Sequence, residues 1–268
     1  MNRIRIVDNK IVDYDQANHL FINDYNRYSS LSFNQDTIFI YINANMEIEL
    51  DLEYNYKAQD IIMVLDGNSH LKLFVHNTGT NKHGQIKYII LDNCKLVVNS
   101  FGNTKIVDEK IELLLNGVNV KIEYHFSTIS HDNQLYNINI HHNNQQTYSN
   151  IINHGIALDK AKLQFNVNGY IAKGNSKSNL NQRNKIIVLG ANQSIINPNL
   201  YIDENDVEAK HSAVIGRFSH RDLFYLKSRG IDEEMAIKLM AKGFLLAIID
   251  IPSKKREEII KSINAHWE

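Results

Sequence analysis

Leu163-Gln164-Phe165-Asn166-Val167, closed by Asn168-Gly169, is the unit on which the fold turns. Apolar side chains stand at 163, 165 and 167, with polar ones between them. Successive side chains of a β-strand point to opposite faces, so strict alternation describes a strand buried on one side. Asn and Gly tolerate the left-handed backbone that a sharp corner requires, so the pair marks a turn. The same unit recurs along the chain. Upstream runs are Thr37–Ile42, Ile48–Leu52, Ile61–Leu65, Leu71–Val75, Ile86–Leu91, Lys95–Val98, Ile111–Leu115, Val118–Ile122 and Tyr136–Ile140; downstream come Lys185–Leu189 and Leu200–Ile202. Between them lie Asp66-Gly67-Asn68, Asn77-Thr78-Gly79, Asp92-Asn93 and Asn116-Gly117. About a dozen short strands with no helix between them leave a sandwich, a barrel or a β-helix. Two features favour the β-helix: only 2 prolines occur, and asparagines gather at corners where successive coils can stack their amides.

Composition narrows the function classes. The 268 residues suffice for a large core, and the net charge of −1 gives no field for nucleic acid or an anionic membrane. No apolar run reaches the length of a membrane span, and Met1-Asn2-Arg3-Ile4-Arg5-Ile6 lacks the apolar core of a signal peptide. Cys94 is the one cysteine. It excludes an internal disulfide framework, suits a reducing cytoplasm, and cannot by itself hold a four-thiolate cluster or zinc site.

The ends depart from the strand rhythm. Residues 1–35 read as a short lead-in, with Ile4–Val7 and Lys10–Val12 as strands joined at Asp8-Asn9, ahead of a β core over 36–217. From 218 to 268 the period changes from 2 to 3.6, as in a helical domain. Ser219 reads as the N-cap of an Arg221–Arg229 helix ended by Gly230, and Asp232 as the cap of the next helix. The second helix carries Met235, Ile237, Leu239, Met240, Phe244 and Leu245 as its apolar set, and a third follows Pro252-Ser253. Lys254-Lys255-Arg256 reads as a solvated face.

One stretch near the end is far more specific. Pro198-Asn199-Leu200-Tyr201-Ile202, Asp206-Val207, His211-Ser212-Ala213-Val214-Ile215-Gly216 and Leu223-Phe224-Tyr225-Leu226-Lys227-Ser228-Arg229-Gly230-Ile231 together resemble the SufB/SufD family of iron–sulfur cluster assembly scaffolds, its SufD-like members above all. Upstream, His142, Thr147, Ser149, Gly155, Phe165, Gly169, Gln182 and Asn184 are similar to that family's middle region. The resemblance implies a right-handed parallel β-helix with C-terminal helices, acting as a non-catalytic scaffold in the cytoplasm. It implies pairing with a SufB-like subunit or a second copy through the C-terminal end of the β-helix. It also implies a SufC-type ABC ATPase docked on the helices, for which Leu223, Phe224, Tyr225, Arg229 and Glu233 are the candidate contacts. His211 matches the family's interface histidine, so it becomes the candidate ligand for a transient iron–sulfur cluster held between subunits. Three positions depart from the pattern: Ala209 where many members have cysteine, Ser212 where glycine is usual, and Tyr201 where glutamate is usual. The family's long N-terminal helical region is reduced to the 1–35 lead-in. Without a thiolate at 209, a supporting SufD-like role is expected over a sulfur-receiving one.

The residues themselves set the chemistry. A neutral imidazole nitrogen binds iron, and thiolates for a cluster must come from another chain. His141 and His142 are adjacent on a strand and point to opposite faces, so a structural role is expected for each. Cys94 reads as a small buried residue. No Gly-x-x-x-x-Gly-Lys-Ser/Thr loop occurs, so nucleotide hydrolysis would belong to a partner. Alternatives from other classes are a carbohydrate-active β-helix, which needs converging carboxylates, and a purely structural one.

Overall fold

The computed structural model describes residues 1–28, 36–55, 58–191 and 193–267; positions 29–35 of the expected lead-in lie outside them. The alternating runs form a parallel β-solenoid of about seven turns, not a sandwich or barrel. Its strands are β1 (Asn2–Val7), β2 (Lys10–Tyr14), β3 (Leu20–Ile22), β4 (Ile38–Ile42), β5 (Met46–Tyr54), β6 (Gln59–Leu65), β7 (His70–Ile90) and β8 (Lys95–Leu115). Then come β9 (Lys121–Ser130), β10 (Gln134–His142), β11 (Tyr148–Asp159), β12 (Leu163–Ile171), β13 (Ser178–Gly190), β14 (Ile195–Ile202) and β15 (Val207–Gly216). They stack in two walls. One runs β1-β5-β7-β8-β9-β11-β13-β15, the other β4-β6-β7-β8-β10-β12-β14.

Strands β7 and β8 belong to both walls. Their first halves pair β5 and β9, and their second halves pair β6 and β10. The sequence pattern splits each into two runs because the bend between walls interrupts the alternation. Gly79 and Gly84 make the β7 bend at φ of +111° and +145°. A Cβ on Gly79 would lie 2.0 Å from the Tyr54 carbonyl oxygen, so only glycine fits that approach.

Side chains in register pile into columns inside the solenoid. Ile48, Leu73, Val98, Tyr124 and Ile151 occupy successive coils of the first wall, all buried. Each such side chain contributes roughly 1.5–3 kcal/mol by leaving water, which makes this core the main stabilising term. Amide ladders hold the corners, as the asparagine placement suggests. Asn68, Asn93 and Asn119 all adopt φ near +55°; Asn93 donates to Asn68 at 3.1 Å and Asn119 to Asn93 at 3.0 Å. Ladders also line the flat outer face of the second wall. Asn199 donates to Asn168 and Asn168 to Asn139, each at 2.9 Å, and Asn139 to Glu112 at 3.0 Å.

The two ends of the solenoid differ. At the N-terminal end, antiparallel β2 covers β1 and antiparallel β3 covers β4. At the C-terminal end β15 pairs only β13 and β14 only β12, so two edge strands are left open among the described residues.

Three helices follow: α1 (His220–Ser228), α2 (Glu233–Leu246) and α3 (Ser253–Asn264). Helix α1 starts one residue earlier than its pattern suggests, and Ser219 makes no side-chain cap bond. Asp232 does cap α2, accepting from the Met235 amide at 2.9 Å. Helices α2 and α3 lie back along the outside of the first wall. Ala241, Leu245, Ile249, Ile259 and Ile263 cover Phe74, Phe101, Ile129, Ile156 and Ile187, which point out of the solenoid. Polar contacts mark the path: the His154 ring to the Phe244 carbonyl (2.9 Å), Ser127 to the Leu245 carbonyl (2.7 Å), the Asp250 amide to Asn99 (2.9 Å) and Lys255 to Asp51 (2.9 Å). This seating corrects two expectations. Lys255 is buried between Asp51, Glu49 and Glu258 rather than solvated. Met235 and Leu239 stay exposed, because α2 turns Ala236, Ala241 and Leu245 to the wall instead.

Candidate functional site

The open C-terminal end places His211. Strand β13 lies under β15 with Ser178, Leu180, Gln182, Asn184 and Ile186 turned inward and buried. Their register partners on β15 are Val207, Ala209, His211, Ala213 and Ile215. His211 therefore stands on the lumen side of the last coil, exposed because no further coil covers it. Its side chain makes no hydrogen bond or ion pair among the described residues. Ala209 sits two positions away above Leu180 and offers no thiol. Around the rim, Tyr201, Val214 and Ile215 are exposed apolar side chains on the two edge strands.

Below His211 the lumen turns polar. Gln182 is fully buried and donates to the Asn199 carbonyl at 3.4 Å. Asn184 accepts from Asn153 at 2.7 Å and donates to the Ser212 carbonyl at 3.3 Å, which ties β15 down beside His211. These two residues are not singled out as site residues by sequence reasoning. The signal that could have found them is the pair of amides at inward positions of Leu180-x-Gln182-x-Asn184-x-Ile186, where the neighbours are aliphatic.

The helical corner gathers the other candidates. Leu223 is half-buried, whereas Phe224 and Tyr225 are 73% and 57% exposed. Arg229 lies with its guanidinium carbon 5.4 Å from the Tyr225 ring centre, and Glu233 pairs with Lys227 at 2.6 Å. That ion pair holds the Glu233 carboxyl below its usual range. Two bulky aromatics exposed on a nine-residue helix with no buried residue form an apolar patch with a charged rim. Among the described residues no hydrogen bond, ion pair or ring contact joins this corner to His211; the structure gathers α1 and the start of α2, with His211 on the solenoid edge.

His141, His142 and Cys94 are engaged within the fold. His142 is buried, with its ring nitrogens 2.6 Å from the Thr147 hydroxyl and 2.8 Å from that of Ser149, and burial pulls its pKa down to about 3. His141 points outward, 3.3 Å from Glu112 and stacked on Tyr170 at 4.5 Å. Cys94 is buried 3.9 Å from Ser69, and burial raises its thiol pKa, so it is a poor thiolate. No group of three or more His, Cys, Asp or Glu side chains is arranged to hold a metal ion among the described residues. No helix among them is long and apolar enough to cross a membrane.

A parallel β-solenoid with one capped end, one open end and helices folded back along its wall is the fold class of this chain. Residues 51–244 match the family model of the SUF system FeS cluster assembly SufBD core domain. The chain belongs to that family. It is 41% identical over 101 residues to the iron-sulfur cluster assembly protein SufD of Bacillus subtilis, covering 37% of this chain and 23% of that protein. It is 39% identical over 85 residues to an iron-sulfur cluster assembly SufBD family protein of Mycobacterium leprae, covering 30% and 21%. A SufBD family protein of Pyrococcus horikoshii is 42% identical over 67 residues, 25% of this chain and 15% of that protein. The aligned stretches thus span less than a quarter of each of these relatives.

Proposed function

We propose that this chain is a scaffold subunit of a SUF-type iron–sulfur cluster assembly complex in the cytoplasm and catalyses no step itself. The observation that carries this is the SufBD core match over 51–244, which takes in both the open solenoid end and the α1–α2 corner. In this scheme β14 and β15 pair with the edge of a SufB-like subunit or a second copy. Exposed edge strands are natural templates for strand addition, and the apolar rim residues supply burial on closure. The α1–α2 corner, through Leu223, Phe224, Tyr225, Arg229 and Glu233, docks a SufC-type ABC ATPase that brings the nucleotide chemistry.

The nascent cluster is cargo at the subunit interface. His211 offers an imidazole nitrogen there, and the partner brings the thiolates, because Ala209 has none and Cys94 is buried. Co-expression with a SufC-type ATPase and a SufB-like chain, followed by size-exclusion chromatography and cluster reconstitution, tests the scheme. A complex that loses cluster assembly on His211→Ala supports both parts. Absence of any complex defeats the scaffold assignment, and a complex in which His211→Ala assembles clusters normally defeats the site.

A further inference from the structure

We propose that Gln182 is a positioning residue for His211: its side-chain oxygen accepts one ring N–H and so presents the other ring nitrogen to the open end. The proposal rests on the scaffold scheme's assignment of His211 as an interface ligand. Its basis is the lumen column on which His211 stands. From β5 onward, above Asn2 of β1, that column reads Ile48, Leu73, Val98, Tyr124, Ile151, Gln182 and His211. Five coils of apolar and aromatic filling give way to a carboxamide and an imidazole in the last two.

The carboxamide is held but incomplete. Its Nε2 is committed to the Asn199 carbonyl at 3.4 Å, while its Oε1 is buried with no hydrogen-bond partner. A buried acceptor without a donor is costly, and such groups call for an explanation. Space for the side chain is also provided. A Cβ at Gly169 would come within 2.9 Å of Gln182 Nε2 and 2.5 Å of Leu180 Cδ1, so the glycine keeps the seat open.

The last coil offers one donor to this oxygen. The inward positions of β15 are Val207, Ala209, His211, Ala213 and Ile215, and those of β14 facing them include Pro198 and Leu200. Only the imidazole among these side chains carries an N–H. Asn184 fixes the backbone at Ser212, so rotation of the exposed His211 side chain over Gln182 needs no strand movement. An acceptor on one ring nitrogen selects the tautomer that leaves the other as a lone-pair donor, the arrangement on which histidine ligands depend.

The test uses anaerobic Fe²⁺ titration of the assembled subunit pair, with ¹⁵N spectra of the His211 ring in the full chain alone. Gln182→Met keeps the volume and removes the acceptor; it should weaken Fe²⁺ binding about 10–100-fold and turn a single ring tautomer into a mixture. Gln182→Glu, held protonated by its burial so that its O–H still donates to the Asn199 carbonyl, retains an acceptor at the same place and should restore both readouts. If His211→Ala abolishes binding while Gln182→Met changes neither affinity nor tautomer, the positioning role is overturned and the ligand survives. If His211→Ala leaves binding intact, the ligand assignment fails, and the ring spectra still decide the Gln182 contact. Should Gln182→Met not fold, a tautomer mixture at His211 in the wild-type chain overturns the proposal by itself.

Discussion

Lys82→Met should destabilise the solenoid by about 3–5 kcal/mol, the cost typical of stranding one partner of a buried ion pair. Lys82 Nζ lies 2.5 Å from Glu109 Oε1, and both side chains are almost wholly buried, at 2% and 3% exposure. The Tyr54 ring centre is 4.9 Å from the ammonium, and Tyr88, Tyr124 and Tyr136 are buried in the same core. Burial pushes the Lys82 pKa down and the Glu109 pKa up, while each charge favours the other's ionised form. Removing the lysine leaves only the upward push on Glu109. Its folded pKa, already above the unfolded value in the wild type, rises further, so the added defect is smallest below the usual carboxylate value of 4.5 and grows as pH rises toward the variant's folded pKa. At 2–4 °C per kcal/mol for a chain of this size class, the melting temperature at pH 8 should fall by roughly 6–20 °C. Thermal melts at pH 5 and pH 8 measure it. Lys82→Met/Glu109→Leu should recover wild-type stability or better, since well-packed apolar replacements of buried pairs are often neutral to stabilising. A single variant that melts like wild type at pH 8, or a double variant worse than the single, would refute the reasoning.

Glu112 makes a prediction of opposite sign. Burial alone would raise its carboxyl, but hydrogen bonds from His141, Lys110 and Asn139 outweigh that and bring it down to about 2. Its contribution, on the order of 1 kcal/mol once solvent screening of its partners is allowed for, is present above about pH 4.5 and is lost as pH falls through about 2; urea titrations at pH 5 and 2.5 should show a smaller pH loss for Glu112→Gln than for wild type. Leu245→Ala, at a fully buried position where α2 meets the wall, should cost about 2–5 kcal/mol and free α2 to limited proteolysis before the solenoid unfolds. Asn93→Ala forces a Cβ-bearing residue without a capping amide to keep a φ of +55°, and should cost about 1–2 kcal/mol by chemical unfolding; Asn93→Gly, which loses only the amide rungs, should cost less.

The strands were legible because burial on one face writes itself as period 2, and Leu163 to Val167 fall inward and outward as that period requires. The long strands β7 and β8 were not, because the bends that join the walls sit inside them and carry polar residues such as Asn77 and Thr78. Asparagine at corners foretold Asn68 and Asn93, but Asn119, read as part of a Val118–Ile122 strand, lies in the turn before β9 as the next rung, and the ladder from Asn199 down to Glu112 depends on coil register, which one strand does not encode. The burial of Lys255 was hidden for the same reason: its partners Asp51 and Glu49 lie about two hundred residues earlier, brought near only when α3 folds back. Family resemblance located His211 and the α1 aromatics. The amide floor beneath His211 needed the inward register of β13 to be seen.

Hydrogen exchange of the amides of β14 and β15 tests the pairing claim most directly. In the free chain the outward-facing amides of Ile195–Ile202 and Val207–Gly216 have no strand partner and should exchange fast. Addition of a SufB-like chain, or raised concentration if the chain pairs with itself, should slow them at least about 10-fold while the capped N-terminal strands are unchanged. Protection that appears elsewhere, or none at β14 and β15 when a complex has formed, would contradict the assignment of the open end as the pairing surface.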